Sequence, residues 1–432
     1  VLVKEVVKVG MLGLGTVGSG VYKILQSNAS LIARKTGARI EVVKVLVRDT
    51  SKNRGLDIPE GILTDNPDDV LKDESVDIVV EVMGGIGKAR DYALAALQQG
   101  KSLVTANKDM MAVYGEELFM AASENRCDLM FEASVAGGIP IIKVLKQSLA
   151  ANRIEQVMGI VNGTTNYMLT RMTLDGSEFK DVLAEAQARG YAEADPTNDI
   201  EGFDAARKIA ILASIVFNTR ISLDKVYVEG ITRISAEDIK YACELGYVVK
   251  LLGIAKDTSN GIEVRVHPVL LPETHPLAAV NDVFNAVFVK GDAVGETMFY
   301  GRGAGELPTA SAVTADIMDA ARNILHRVQG IVGCTCFEER PLKPMGDVRT
   351  RNYLRLRVVD KPGVLAQIAL IFGENQVSLA TVFQKETVEG KAELVLVTHE
   401  VAEKNLKQAL QGIEQLPVVE EVCNAIRVED QS

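Results

Sequence analysis

The chain has 432 residues, 47% of them hydrophobic and 24% charged, which is enough for two or three domains with full cores. A net charge of −11 argues against nucleic acid as a partner, because phosphate binding needs a basic face. No apolar run approaches the length that spans a bilayer, and five scattered cysteines (Cys127, Cys243, Cys334, Cys336, Cys423) form no disulfide framework. The start, Val1 to Val7, enters a strand at once and lacks a signal-peptide layout, so a cytoplasmic location with reduced, buried thiols is expected.

In the first third, short β-branched runs alternate with helical stretches. Val6–Leu12, Ile40–Val47, Asp77–Val82, Ser102–Thr105 and Leu129–Phe131 read as buried strands. Val17–Gln26, Lys88–Gln98 and Met110–Glu124 read as the helices between them. This βαβ rhythm predicts an α/β, Rossmann-type doubly wound parallel sheet over residues 1–135. Residues 136–302 change order: helices come first, including Lys180–Ala188, followed by strand-like runs at Leu251–Ile254, Ile262–Leu270, Ala286–Val289 and Thr297–Tyr300. A mixed α+β domain for substrate binding, catalysis and dimerisation is expected there. The helix Thr309–Val328, within 303–330, is expected to pack back on the first domain. A connector rich in charge and proline, Glu338–Arg351, leads to a strand–helix–strand–strand–helix–strand pattern over 350–432.

Five groups of residues carry chemistry. Gly13–Leu14–Gly15–Thr16–Val17–Gly18 follows the first strand and opens a helix, so its glycines admit a pyrophosphate to the helix N-terminal amides. Arg48, at the end of the second strand, can pair with a 2′-phosphate, which favours NADP(H), although Asp49 beside it keeps NAD(H) open. Glu81–Val82–Met83–Gly84–Gly85 and Thr105–Ala106–Asn107–Lys108 end the next two strands, on the side where ligands bind such sheets. Glu132–Ala133–Ser134–Val135–Ala136–Gly137–Gly138–Ile139–Pro140 crosses from the first domain into the second. In the second domain a loop with Glu193, Asp195 and Asp199 follows Gly190, and Asp204 and Lys208 share a helix face four residues apart. A capped helix with a surface ion pair would use the same two residues. The four histidines fall outside all these motifs, so the proton source is a lysine.

From Ala186 to Lys208 the pattern A-x3-G-Y-A-x2-D-P-x2-D-I-x-G-x-D-x3-K resembles the signature of homoserine dehydrogenase, and the resemblance extends over essentially the whole chain. It implies NAD(P)H-dependent reduction of L-aspartate 4-semialdehyde to L-homoserine, on the route to threonine, methionine and isoleucine. Carried over by position, it implies that Lys208 or Lys108 donates the proton, with Asp204 orienting the substrate. Glu193, Asp199, Asp204 and Lys108 would bind substrate. Gly13, Gly15, Thr16, Val17, Gly18, Arg48, Gly84, Lys108, Gly190, Glu193 and Gly303 would bind cofactor. Glu132, Val135, Gly137 and Ile139 would hold a monovalent cation, Na+ or K+, mostly through backbone carbonyls. Asn162–Gly163–Thr164–Thr165–Asn166–Tyr167 also matches the family and would line the substrate pocket.

The last segment, with its turn Asp360–Lys361–Pro362–Gly363, resembles an ACT domain, a ferredoxin-like amino-acid sensor that pairs edge to edge. That implies a homo-oligomer, dimer or tetramer, and an effector such as threonine, with a response that ending the chain near Pro344 should abolish. A catalytically silent NADP-binding sensor, or a dehydrogenase of another amino-acid aldehyde or keto acid, remains the alternative at this point.

Overall fold

The computed structural model describes residues 5–384 and 390–429, so residues 1–4, which precede the expected strand Val6–Leu12, and residues 385–389 and 430–432 of the expected last domain lie outside the described part. The chain forms two compact units that do not follow its order. One comprises residues 1–154, 210–223 and 290–339, and the other 155–209, 224–289 and 340–432.

The first unit is built on a six-stranded parallel sheet. Its order is Leu63–Thr64, Arg39–Leu46, Val6–Leu12, Ile78–Glu81, Ser102–Thr105, Leu129–Met130. The first strand therefore sits at the middle, and the chain winds outward both ways, leaving a crevice at the carboxyl ends of Val6–Leu12 and Ile78–Glu81. Val7, Val9, Met11, Ile78 and Val80 are fully buried, because helices cover both faces of a parallel sheet. The helix Glu306–His326 belongs to this core: Ala310, Val313 and Ile317 join Val21 and Leu25 of the helix Thr16–Ser27. Gly20 sets the distance between these two helices, since a Cβ there would meet the Glu306 carbonyl at 2.7 Å. Short elements escaped the sequence reading, among them the helix Asp68–Leu71. The helix Ala29–Thr36 buries only Ile32 and Thr36, and the strand Leu63–Thr64 is too short to show a period.

In the second unit a continuous sheet runs in the order Phe284–Gly291, Ile154–Ile160, Tyr247–Thr258, Gly261–Pro272, Val419–Val428, Arg349–Val359, Lys391–Thr398, Leu379–Gln384. Ile154–Ile160 was not expected; its sequence Ile-Glu-Gln-Val-Met-Gly-Ile lacks clean alternation. The last four strands, with the helices Val364–Glu374 and Glu403–Glu414, form the expected ferredoxin-like βαββαβ around Leu354, Ile368, Leu394 and Ile413. Sequence suggested a module hung on a connector. Instead its last strand pairs in parallel with Gly261–Pro272, through Val269–Arg427 and Leu270–Val428.

Buried polar groups reinforce that seam. Asp238, fully buried on the helix Ala236–Glu244, accepts from Arg355 at 2.7 Å and from Asn424 at 2.8 Å. Arg265, 1% exposed, is held by Glu263 and Glu429. Buried charges persist only when paired in this way. Among the described residues no helix is long and apolar enough to cross a membrane.

Candidate active site

At the end of the first strand three glycines have three different duties. Gly13 has φ +106°, and a Cβ there would lie 2.9 Å from the Met83 backbone. Gly15 faces open space, where a ligand can approach the first amides of the helix Thr16–Ser27. A Cβ on Gly18 would sit 2.6 Å from the Gly13 carbonyl, so the third glycine brings helix and turn together. Thr16 and Val17 supply the first helical amides. Arg48 is exposed just beyond the strand Arg39–Leu46. The neighbouring acid is engaged in its own turn: Asp49 accepts from the Ser51 hydroxyl at 2.6 Å and from its N–H at 2.9 Å.

Glu81 ties the next two strand ends together, a role the sequence did not show. It is fully buried, and burial raises its carboxyl pKa, while Thr105 and the Met83 amide pull it back. Oε1 accepts from the N–H groups of Met83 (3.0 Å) and Gly84 (3.3 Å), and Oε2 accepts from the Thr105 hydroxyl at 2.6 Å. Thr105 Oγ1 in turn accepts from the N–H of Asn107 (3.0 Å), whose Nδ2 donates to the Gly85 carbonyl (2.7 Å). The Asn107 side chain also caps the helix Lys108–Glu124, accepting from Met110. A closed ring of hydrogen bonds thus fixes the Gly84 turn and the backbone that carries Lys108.

The crossing loop is buried: Glu132 is 5% exposed, Val135 0% and Ile139 2%. The Glu132 carboxylate receives the N–H groups of Ile141 (2.5 Å), Ile142 (2.7 Å) and Lys143 (2.8 Å), anchoring a helix start. Ala136 and Gly137 both have positive φ, +56° and +51°. Among the described residues no turn or loop backbone N–H donates to the carbonyls of Val135, Gly137 or Ile139. Buried carbonyls without donors are costly, and a hard alkali cation is the kind of partner they suit. The residues therefore fit the expected ion. A Cβ on Gly137 would overlap the carbonyl of Gly303, so these two glycines pack backbone to backbone.

In the second unit Asp204 and Lys208 are a buried pair, 8% and 12% exposed, on the helix Phe203–Val216. Lys208 Nζ donates to Asp204 Oδ2 and to the Val161 carbonyl, each at 2.7 Å. Two of three ammonium donors are thereby oriented, and one is left for a ligand. Asn162 joins the acids: its Nδ2 donates to Asp204 (3.0 Å) and Asp199 (2.7 Å), while its Oδ1 caps the helix Gly163–Asp175 through Thr165. Capping explains part of its composition, but the two carboxylate bonds do not follow from a cap. Gly190, at φ +74°, follows the helix Phe179–Ala188, and the loop beyond is fastened by Thr164 donating to the Tyr191 carbonyl at 2.7 Å. The Glu193 side chain is exposed, and its own carbonyl accepts from Gln187 at 3.1 Å. Asp195 is engaged with Thr197. Lys108 and Gly303 belong to the first unit, and Lys208, Asp204, Asp199, Gly190 and Glu193 to the second.

The thiols correct one expectation. Only Cys127 is buried; Cys243 and Cys334 are exposed, and Cys336 and Cys423 are half-buried. Cys334 and Cys336 lie outside any helix or strand, and Cys423 lies in the strand Val419–Val428. Among the described residues no group of three or more His, Cys, Asp or Glu side chains is arranged to hold a metal ion. His267, fully buried and held by Arg265 and the Pro268 carbonyl, is a structural histidine.

Three family models cover most of the chain. One described as homoserine dehydrogenase, NAD binding domain, matches residues 13–132, one described as homoserine dehydrogenase matches 140–318, and one described as ACT domain matches 352–418. The homoserine dehydrogenase of Bacillus subtilis is 47% identical over 98% of this chain and 99% of its own. The chain belongs to the homoserine dehydrogenase family. A crystal structure of the Thiobacillus denitrificans homoserine dehydrogenase superposes with a TM-score of 0.93 at 47% identity, covering 98% of both chains. A hyperthermophilic archaeal homoserine dehydrogenase solved in complex with NADPH matches 73% of this chain and 97% of that one, at 28% identity and a TM-score of 0.62. The activity is the family's: NAD(P)-dependent interconversion of L-aspartate 4-semialdehyde and L-homoserine by an oxidoreductase acting on CH–OH, in amino-acid biosynthesis.

Proposed function

We propose that Lys208 is the general acid of semialdehyde reduction, in an enzyme that prefers NADPH and is inhibited by threonine. The observation that carries the first part is the Lys208 ammonium held by Asp204 and the Val161 carbonyl with one donor left over. Bound NAD(P)H supplies the hydride that reduces the aldehyde carbon. Lys208 then gives the developing alkoxide its proton, and Asp204 keeps the ammonium aimed and attracts the substrate's amino end. Asp199, aligned by Asn162, and Glu193 are further acceptors for that amino group. Lys108, set at the first position of its helix, is the second candidate ammonium for the same oxygen. Homoserine oxidation by the purified enzyme, compared with its Lys208 and Lys108 variants, tests the assignment. Normal turnover without Lys208 would transfer the role to Lys108.

NADPH preference rests on exposed Arg48 beside an Asp49 already engaged by Ser51, which leaves the basic group to meet a ribose substituent. Gly13, Gly15, Gly18, Gly84 and Gly303 form the cofactor's backbone surface. A sodium or potassium ion would be held by the carbonyls of Val135, Gly137 and Ile139, with Glu132 fixing the loop, and would supply a fixed positive charge there. At the C-terminal domain, Gly363 (φ +91°) opens the helix Val364–Glu374, and its Cβ position faces open space. An amino-acid effector's carboxylate suits those amides. The exposed apolar residues Val294, Met298 and Tyr300 around the strand Gly295–Arg302 support a homo-oligomer, and a cytoplasmic location fits the biosynthetic role.

A further inference from the structure

The dehydrogenase chemistry uses no cysteine, yet two of the five stand together. Cys334 and Cys336 flank Thr335 in the segment after the helix Glu306–His326. The backbone N–H of Cys336 donates to Cys334 Sγ at 3.4 Å, and the Cys336 sulfur lies 3.7 Å from the Ser214 carbonyl, a second acceptor that competes for its one thiol proton. Cys334 is exposed and Cys336 half-buried. One residue thus meets solvent while the other is half-buried, with only Thr335 between them in the chain.

The surroundings are basic. Lys146 donates to the carbonyl of Gly333 at 2.7 Å, and its ammonium lies 4.9 Å from the Phe119 ring centre and 5.6 Å from that of Phe131. Burial lowers this lysine to about 8, while the two thiols and Asp316 act to raise it. Arg220, itself paired with Glu116, acts on both thiols. The hydrogen bond from the Cys336 side chain, then that from its amide, and then Arg220 and Lys146 bring the Cys334 thiol down to about 6. The same shared proton pushes Cys336 upward, with burial adding to it. The exposed sulfur is thus the more acidic of the two and its half-buried neighbour the less acidic, the division of labour of a reactive dithiol.

We propose that Cys334 and Cys336 form a hydroperoxide-reactive dithiol, separate from the dehydrogenase centre. The Cys334 thiolate attacks one oxygen of hydrogen peroxide: an S–O bond forms, the O–O bond breaks, and the departing hydroxide takes a proton to become water. Cys334 is then a sulfenic acid. Cys336 releases its proton to solvent and attacks the Cys334 sulfur, so that S–S forms, S–O breaks, and a second hydroxide leaves as water. In sum, two thiols lose two electrons and two protons to one peroxide, giving one disulfide and two waters. A small thiol reductant restores the pair by exchange.

The test treats the reduced full-length enzyme with one equivalent of hydrogen peroxide, followed by intact mass and peptide mapping. Exposed Cys243, whose thiol is raised by burial of its sulfur and by Glu273, serves as internal reference. Loss of two hydrogens confined to the Cys334–Cys336 peptide, at least about tenfold faster than oxidation of Cys243, is expected. Cys336→Ser should stop at a Cys334 sulfenic acid that dimedone traps, and Cys334→Ser should lose the fast phase. Both variants should oxidise homoserine at the parent rate; a fall would show that the pair belongs to the dehydrogenase centre. Oxidation of Cys334 no faster than Cys243, or a disulfide joining Cys334 of two chains, would overturn the proposal.

Discussion

Replacing Lys208 by methionine separates its chemical role from its structural one. Methionine keeps an unbranched chain but removes three donors and the charge. A positioned general acid is worth about 10²–10⁴-fold in turnover, or about 2.7–5.4 kcal/mol of barrier. The same change takes the ammonium at 2.7 Å away from the buried Asp204 carboxylate, to which Asn162 still donates at 3.0 Å. Breaking a buried pair costs about 3–5 kcal/mol, and the low end applies here because both groups keep some exposure. About 3 kcal/mol corresponds to a fall in Tm of roughly 10 °C for a unit of this size. The double variant Lys208→Met with Asp204→Leu removes both charges, and Asn162 keeps its bond to Asp199. It should regain much of the lost Tm and none of the lost turnover. Nicotinamide absorbance during homoserine oxidation measures turnover, and thermal unfolding measures the rest. Turnover of Lys208→Met within about tenfold of the parent, or recovery in the double variant, would refute the reasoning.

Arg48→Ala should raise KM for NADPH about tenfold, the worth of one charge-assisted hydrogen bond, and leave that for NADH unchanged; equal effects on both would make Arg48 a bystander. Gly137→Ala must place a methyl on the Gly303 carbonyl from a left-handed backbone, so a loss of about 2–3 kcal/mol and weaker cofactor binding are expected, measured by denaturant unfolding and cofactor titration. Burial raises the Glu81 carboxyl above its unfolded value of 4.5, so the native state holds its proton to higher pH than the unfolded chain does, and stability falls as pH rises through that window. Glu81→Gln should therefore gain stability relative to the parent between about pH 4 and pH 7, and an identical difference at both would contradict the burial argument. Gly363→Val should blunt threonine inhibition without lowering basal turnover, since its φ of +91° is closed to valine while no neighbour is displaced.

Removing the chain beyond Pro344 looked like the natural test of regulation. The structure argues against using it. Such a chain loses the strand beside Gly261–Pro272, the Glu429 partner of buried Arg265 and the Arg355 partner of buried Asp238. Loss of the threonine response would then be confounded with loss of the sheet, so the point variant at Gly363 is the cleaner probe.

What the sequence revealed was local. Gly13, Gly15 and Gly18 could be read from their spacing because strand, turn and helix are consecutive. Asp204 and Lys208 could be read because one helical turn joins them. The Glu81 ring could not, since it depends on two parallel strands lying side by side so that Thr105 meets Glu81. Asn162 looked like a helix cap and is one, but its bonds to Asp199 and Asp204 appear only when three separate segments meet. The joining of the last domain to the sheet rests on two residue pairs, Val269–Arg427 and Leu270–Val428, with no motif to announce them.

A crystal structure of the enzyme with NADP+ and L-homoserine tests the central claim most directly. The account predicts the homoserine hydroxyl within about 3 Å of Lys208 Nζ, with Asp204 still bonded to that ammonium. A hydroxyl that meets Lys108 alone, with Lys208 bonded only to Asp204 and Val161, would contradict it.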